Sequence, residues 1–204
     1  MIDSLTGLEV LRRRAVDRFI DLGSGGGFPG VTLAAALPAD RVLLVDSIGK
    51  KVRFLATVID AVGLGDRVVA EAARAETLAL GRADRGSWPA VTARAVASLA
   101  ELVELAVPLL RPGGILVAWK RGEADDPAGL GNELTAARRA LGAIDPDGRI
   151  EVGPALGEVG MATAASSAGL AALADHRLIE VVRGSGPVAT TWPRDPATRR
   201  RLPW

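Results

Sequence analysis

Cysteine is absent from the 204 residues. That excludes disulfides, thiolate metal ligands and any mechanism with a cysteine nucleophile. Histidine occurs once, so a site built from several histidines is excluded too, and no metal is expected. No uninterrupted apolar run approaches the ~20 residues that span a bilayer. Asp3 and Glu9 stand where an export signal would carry basic residues. Net charge is only +1, so the chain as a whole carries no strong field of one sign. A cytoplasmic, non-membrane protein is expected. Hydrophobic residues at 49% and charged residues at 24% describe an ordinary globular chain rather than a disordered one.

What is present is an alternation of short apolar runs with helical spacing. Strands are expected over 19–22, 41–46, 67–70, 89–93 and 115–119, and helices over 31–37, 50–62, 75–80, 99–110 and 130–141. Arg111-Pro112-Gly113-Gly114 reads as the turn ending the fourth helix. Arg138 and Arg139 fall near the end of the fifth, where the helix dipole favours cations. Two further strands, 149–152 and 177–182, flank a small-residue stretch over 161–174 that reads equally as loop or helix. Five strand–helix repeats imply an α/β fold, a mostly parallel sheet with helices on both faces. The closing strand pair implies an antiparallel hairpin at one edge. Residues 1–190 read as one domain and 191–204 as a basic tail. From Arg183 to Trp204 there are five arginines against one acid, Asp195, a balance of +4.

Asp21-Leu22-Gly23-Ser24-Gly25-Gly26-Gly27-Phe28-Pro29-Gly30 follows the first strand and opens the first helix of the alternation. Five glycines in eight residues exceed the needs of a tight turn, and such a loop lies where open α/β sheets bind ligands. Gly25-x-Gly27-x-x-Gly30 matches the dinucleotide fingerprint formally. The first glycine after the strand is Gly23, however, and read from Gly23 the third glycine position is Phe28. The competing pattern, apolar-acidic-apolar-Gly-x-Gly-x-Gly, is met by Ile20, Asp21, Leu22, Gly23, Gly25 and Gly27. It resembles the first motif of class I (Rossmann-like) S-adenosylmethionine methyltransferases. A diphosphate wants bare helix-terminal amides. A sulfonium amino acid wants amides for its carboxylate and an acid for its cationic groups. Asp46 ends the second strand, where a carboxylate can take two ribose hydroxyls of either cofactor or stand solvated.

The likeness is narrower than a fold. The loop from Asp21 to Gly30, Val45-Asp46-Ser47-Ile48-Gly49-Lys50-Lys51-Val52-Arg53-Phe54-Leu55, Arg74-Ala75-Glu76, Ala93-Arg94-Ala95-Val96-Ala97-Ser98-Leu99 and Trp119-Lys120-Arg121-Gly122 together resemble the bacterial ribosomal RNA small-subunit methyltransferase G family. That family is also called glucose-inhibited division protein B. The resemblance covers about residues 2–122 and implies a class I fold with a seven-stranded sheet. It also implies methyl transfer from S-adenosylmethionine to N7 of a guanine in the 530 loop of 16S ribosomal RNA, free or in the small subunit. It assigns Gly23 and Phe28 to the cofactor site, Ala75 and Glu76 to the adenine side, Asp46 to the ribose, and Arg94 to the methionine end or the target guanine. The expected set is therefore Asp21, Gly23, Gly25, Gly27, Phe28, Asp46, Ala75, Glu76 and Arg94 for the cofactor, with Arg94 also the catalytic candidate. Members usually carry a helical segment ahead of the motif that Ile2-Asp3-Ser4-Leu5 resembles, and this sequence opens inside that motif. A monomer is expected.

Guanine N7 presents a lone pair and loses no proton, so placement in line with the methyl suffices and no general base is named. Lys50, Lys51 and Arg53, near a helix N-terminus they should electrostatically oppose, are candidates for RNA phosphate or for a solvated face. His176 reads as structural, and Trp88 and Trp119 as packing residues. Trp192 and Trp204, in the basic tail, read as packing residues or as platforms for bases. A small-molecule methyltransferase and a non-catalytic S-adenosylmethionine-binding protein are the competing functions.

Overall fold

The structure, a computed structural model, describes residues 2–156 and 173–204. The expectation for 161–174 falls almost wholly outside them. Two short helices, α1 (Ile2–Leu5) and α2 (Leu8–Arg13), precede β1 (Arg18–Leu22). Then come α3 (Gly30–Ala36), β2 (Arg41–Asp46), α4 (Gly49–Ala61), β3 (Val68–Ala72), α5 (Ala75–Leu80), β4 (Trp88–Arg94), α6 (Leu99–Ala106), β5 (Leu110–Arg121) and α7 (Leu130–Ile144). The chain closes with β6 (Arg149–Ala155), β7 (His176–Val182) and α8 (Pro196–Arg201).

The seven strands form one sheet in the order β3-β2-β1-β4-β5-β7-β6. Strands β1 to β5 are parallel, and β7 runs antiparallel between β5 and β6. This is the expected α/β sheet with its antiparallel edge. Alternation along β1 sends Phe19 to one face and Ile20 and Leu22 to the other. Phe19 packs with Leu33, Leu55 and Ile59 of α3 and α4. Ile20 and Leu22 pack with Leu78, Leu99, Leu102 and Leu134 of α5, α6 and α7. The chain leaves β1 toward β2 and β3, then returns to the other side of β1 for β4. That reversal opens a crevice beyond the carboxyl ends of β1 and β4, the usual ligand position in such sheets.

Two expectations are corrected. Helix α6 stops at Ala106, and Arg111-Pro112-Gly113-Gly114 belongs to the long strand β5. Strand pairing outweighs local turn chemistry there: Leu110 pairs with Trp88, Gly113 N donates to Arg183 O (3.1 Å) and Arg183 N donates to Gly114 O (2.9 Å). Helix α7 continues to Ile144, so Arg138 and Arg139 lie before its last turn and gain little from its dipole. Among the described residues, no helix is long and apolar enough to cross a membrane.

The basic tail is bound to the body. Glu104 of α6 is fully buried, and Arg194 grips it with Nε (3.0 Å to Oε1) and Nη2 (2.7 Å to Oε2), while the Arg194 backbone N donates to Oε1 (2.7 Å). Trp204 Nε1 adds a bond to Oε2 (2.8 Å). The guanidinium lies against both Trp204 and Trp192, whose rings are 5.7 Å apart. These two tryptophans therefore serve as packing residues. Burial pushes the Glu104 carboxyl up, but the Arg194 hydrogen bonds outweigh it and hold the group below its ordinary value. Arg194→Ala would leave a buried carboxylate uncompensated. A loss of about 3–5 kcal/mol is expected in urea unfolding, and a loss under about 1 kcal/mol would show that the pair does not anchor the tail.

Candidate functional site

At the carboxyl ends of β1 to β4 lies a cavity of about 540 Å³. Gly23, Asp46, Ala75 and Glu76 of the expected set line it, together with Leu22, Val45, Ile48, Val96 and Leu105. Its walls mix apolar side chains with charged ones: the carboxylates of Asp46, Glu76 and Glu101 and the cations of Lys51, Arg74, Arg199 and Arg200. Gly23 is required by geometry: its φ is +66°, and a Cβ there would stand 2.5 Å from Val96 Cγ2.

Asp46 joins the first two loops of the site. Oδ2 accepts from Gly25 N (3.0 Å) and Oδ1 from Ile48 N (2.9 Å), so the end of β2 holds both the glycine loop and the approach to α4. Each oxygen retains a second lone pair for a donor in the cavity. Lys51 Nζ lies 3.6 Å from Oδ2 and also lines the cavity. That contact explains why a lysine is tolerated in the first turn of α4.

Asp21 does not line the cavity. It is fully buried beneath the loop, with Oδ1 accepting from Thr92 Oγ1 (2.6 Å) and Oδ2 against the first residue of α3. A Cβ at Gly30 would come within 2.6 Å of Oδ2, which is why that position is glycine. Burial raises the Asp21 pKa to about 6, against the opposing hydrogen bonds of Thr92 and Ser24. Gly25 and Gly27 take left-handed backbone conformations in the loop without lining the cavity.

Phe28 is 40% exposed and also stands outside the cavity, 5.8 Å from the guanidinium of Arg94. Arg94 ends β4 and donates to Asp3 Oδ2 (2.9 Å). It lines a second cavity of about 430 Å³ with Asp3, Trp119, Lys120, Arg121 and His176. Ala95 borders both cavities and has a positive φ of 55°, a strained backbone for a residue with a Cβ. His176 Nε2 accepts from Arg121 Nε, and Lys120 pairs with Glu133 at 2.7 Å. Trp119 Nε1 donates to Asp3 O (2.9 Å), which ties α1 to this cavity.

Sequence reasoning missed Glu101, Pro196, Arg199, Arg200 and Pro203, all lining the first cavity. The legible signal was Asp195-Pro196, an N-cap followed by proline at the first helical position. It marks α8, but nothing in the sequence says where that helix docks.

Comparison with known proteins gives a consistent picture. Residues 1–138 match the family described as rRNA small subunit methyltransferase G. A protein of that name from Rubrobacter xylanophilus is 44% identical over 160 residues, 78% of this chain and 59% of the relative. One from Desulfitobacterium hafniense is 34% identical over 202 residues, 99% of this chain and 74% of the relative. The chain thus spans about three-fifths of the Rubrobacter relative's length. Among solved structures, an O-methyltransferase from Bacillus cereus in complex with SAH superposes with a TM-score of 0.61 at 18% identity, covering 89% of this chain and 81% of that one. The fold is that of class I methyltransferases.

The raised pKa of Asp21 has a measurable consequence. A carboxyl that binds its proton more tightly when folded contributes stability below its unfolded pKa and loses it as pH rises through about 6. Asp21→Asn removes that titration while keeping an acceptor for Thr92. Between about pH 4 and pH 7 the wild type should lose up to about 3 kcal/mol relative to the variant in denaturant unfolding. A constant difference across that range would contradict the burial argument.

Proposed function

The chain belongs to the ribosomal RNA small subunit methyltransferase G family, and from that premise we propose that it is an S-adenosylmethionine-dependent methyltransferase of 16S ribosomal RNA, acting on N7 of a guanine in the 530 loop. The observation that carries the reading is the first cavity, with Gly23, Asp46 and Glu76 set beside the apolar side chains of Ile48, Val96 and Leu105 at the sheet's point of reversal.

The donor set suits S-adenosylmethionine. Asp46 has free lone pairs for ribose hydroxyls, Glu76 offers a carboxylate to an exocyclic amine, and the walls of Ile48, Val96 and Leu105 suit a flat ring. A diphosphate fits poorly. The start of α3, where a dinucleotide would place it, already has the Asp21 carboxylate against its first residue, and a second anion there would be repelled. When bound, the cofactor supplies a methyl group already activated on sulfur.

The chain's own residues then have a modest task. The target N7 carries a free lone pair and needs no base. Arg94, fixed between Asp3 and Phe28, stands in the cavity adjoining Ala95 and is the residue best placed to orient an incoming base. Of the three cations lining that second cavity, Arg94 pairs with Asp3, Lys120 pairs with Glu133 and Arg121 donates to His176, so the RNA reading rests on the family match and not on a free basic surface there.

Small subunits lacking the modification, incubated with methyl-labelled cofactor and this protein, should acquire label at one guanine of 16S ribosomal RNA. Tight cofactor binding with no label in RNA or subunits would favour the non-catalytic reading. Asp46→Ala should weaken cofactor binding by about 1–3 kcal/mol, through lost acceptors for the ligand and for the Gly25 amide. An unchanged dissociation constant would remove Asp46 from the site.

A further inference from the structure

The C-terminal helix enters the first cavity at its Glu76 end, and the way it is held singles out Arg199. Arg199 is nearly buried, with its side chain 9% exposed. Its Nη2 donates to Glu76 Oε1, and its Nε lies 3.3 Å from Glu101 Oε1. Both carboxylates line the cavity. Without a cation between them they would repel each other and turn outward.

Arg199 is itself fixed. Its Nη1 donates to the carbonyl of Arg194 (2.7 Å), and Arg194 is clamped on buried Glu104. Asp195 Oδ1 accepts from Ala197 N and Thr198 N (3.0 Å each), setting the first turn of α8. A rigid path thus runs from α6 through Arg194 and the Asp195 cap to the Arg199 guanidinium. A planar guanidinium on a fixed path orients a carboxylate more sharply than a mobile ammonium would.

We propose that Arg199 is a positioning residue for nucleobase selection. It holds the Glu76 carboxylate facing the cavity as a hydrogen-bond acceptor, so that the site takes a 6-amino purine and rejects a 6-keto purine. One Glu76 oxygen is engaged by Arg199, and the other remains to accept from the amine. A carbonyl oxygen in the same place would meet a second acceptor. The proposal rests on the S-adenosylmethionine reading of the cavity.

The test compares S-adenosylhomocysteine with S-inosylhomocysteine, which carries a 6-keto group and a hydrogen on N1 in place of the 6-amino group and bare N1, by calorimetry on the full chain. The wild type should prefer the adenosyl ligand by at least about tenfold, the scale of one charge-assisted hydrogen bond. Arg199→Gln should collapse that ratio toward one, and Arg199→Lys should restore part of it. In a Glu76→Gln background, where the preference is already lost, Arg199→Gln should change the ratio no further. Because the readout is a ratio on one protein, a general loosening of the tail moves both ligands together and leaves it unchanged. Equal weakening of both ligands by Arg199→Gln would therefore overturn the proposal. If that variant does not fold, an unchanged ratio in Arg199→Lys and in Glu76→Gln overturns it instead. A wild type that binds neither nucleoside would sink the cofactor reading as well, whereas one that binds both with a ratio insensitive to these variants would sink this proposal alone.

Discussion

The site depends first on the carboxylate of Asp46. It ends β2 and accepts from the amides of Gly25 and Ile48, so a single buried side chain, beside the backbone bond from Ser24 N to Val45 O (3.0 Å), holds the two loops together. Glycine loops are entropically costly to order. Here that cost is offset by hydrogen bonds to a charged acceptor with little access to water, which are stronger than neutral ones. The parallel register keeps the ends of β1, β2 and β4 level, with Leu22 opposite both Val45 and Ala93. The carboxylate and the loop therefore meet without strain in the strands.

Two buried carboxylates near the loop divide the work by environment. Asp46 lies at the cavity wall and keeps lone pairs for a ligand. Asp21 lies beneath it, bonded to Thr92 and closed over by Gly30, and is desolvated enough to hold its proton near pH 6. Its position against the start of α3 leaves that helix end unattractive to a phosphate. The same acid that marks the motif in sequence thus acts from below the site, through the local field and the packing of the loop.

Much of the sheet was legible because its determinants are local. Apolar runs such as 41–46 and the spacing of Leu55 and Ile59 report burial directly, and the glycine loop and Asp46 announced the ligand end. What was missed depends on contacts distant in sequence. Arg111-Pro112-Gly113-Gly114 has the composition of a turn, yet β7 extends far enough to pair with it, through Arg183. Arg94 was placed near the site, but its partner Asp3 lies 91 positions away. The tail's charge balance of +4 and its two tryptophans left base stacking open in the sequence, whereas Arg194 and Arg199 are committed to Glu104, Glu76 and Glu101 inside the protein. A charge run in sequence does not show which of its members already have partners.

The central claim is that the cavity beside the glycine loop is built for a sulfonium nucleoside and not for a dinucleotide. Calorimetric titration of the full chain with S-adenosylmethionine and, separately, with NAD tests it most directly. The account predicts saturable one-site binding of S-adenosylmethionine and no measurable heat with NAD. Tighter binding of NAD would contradict it.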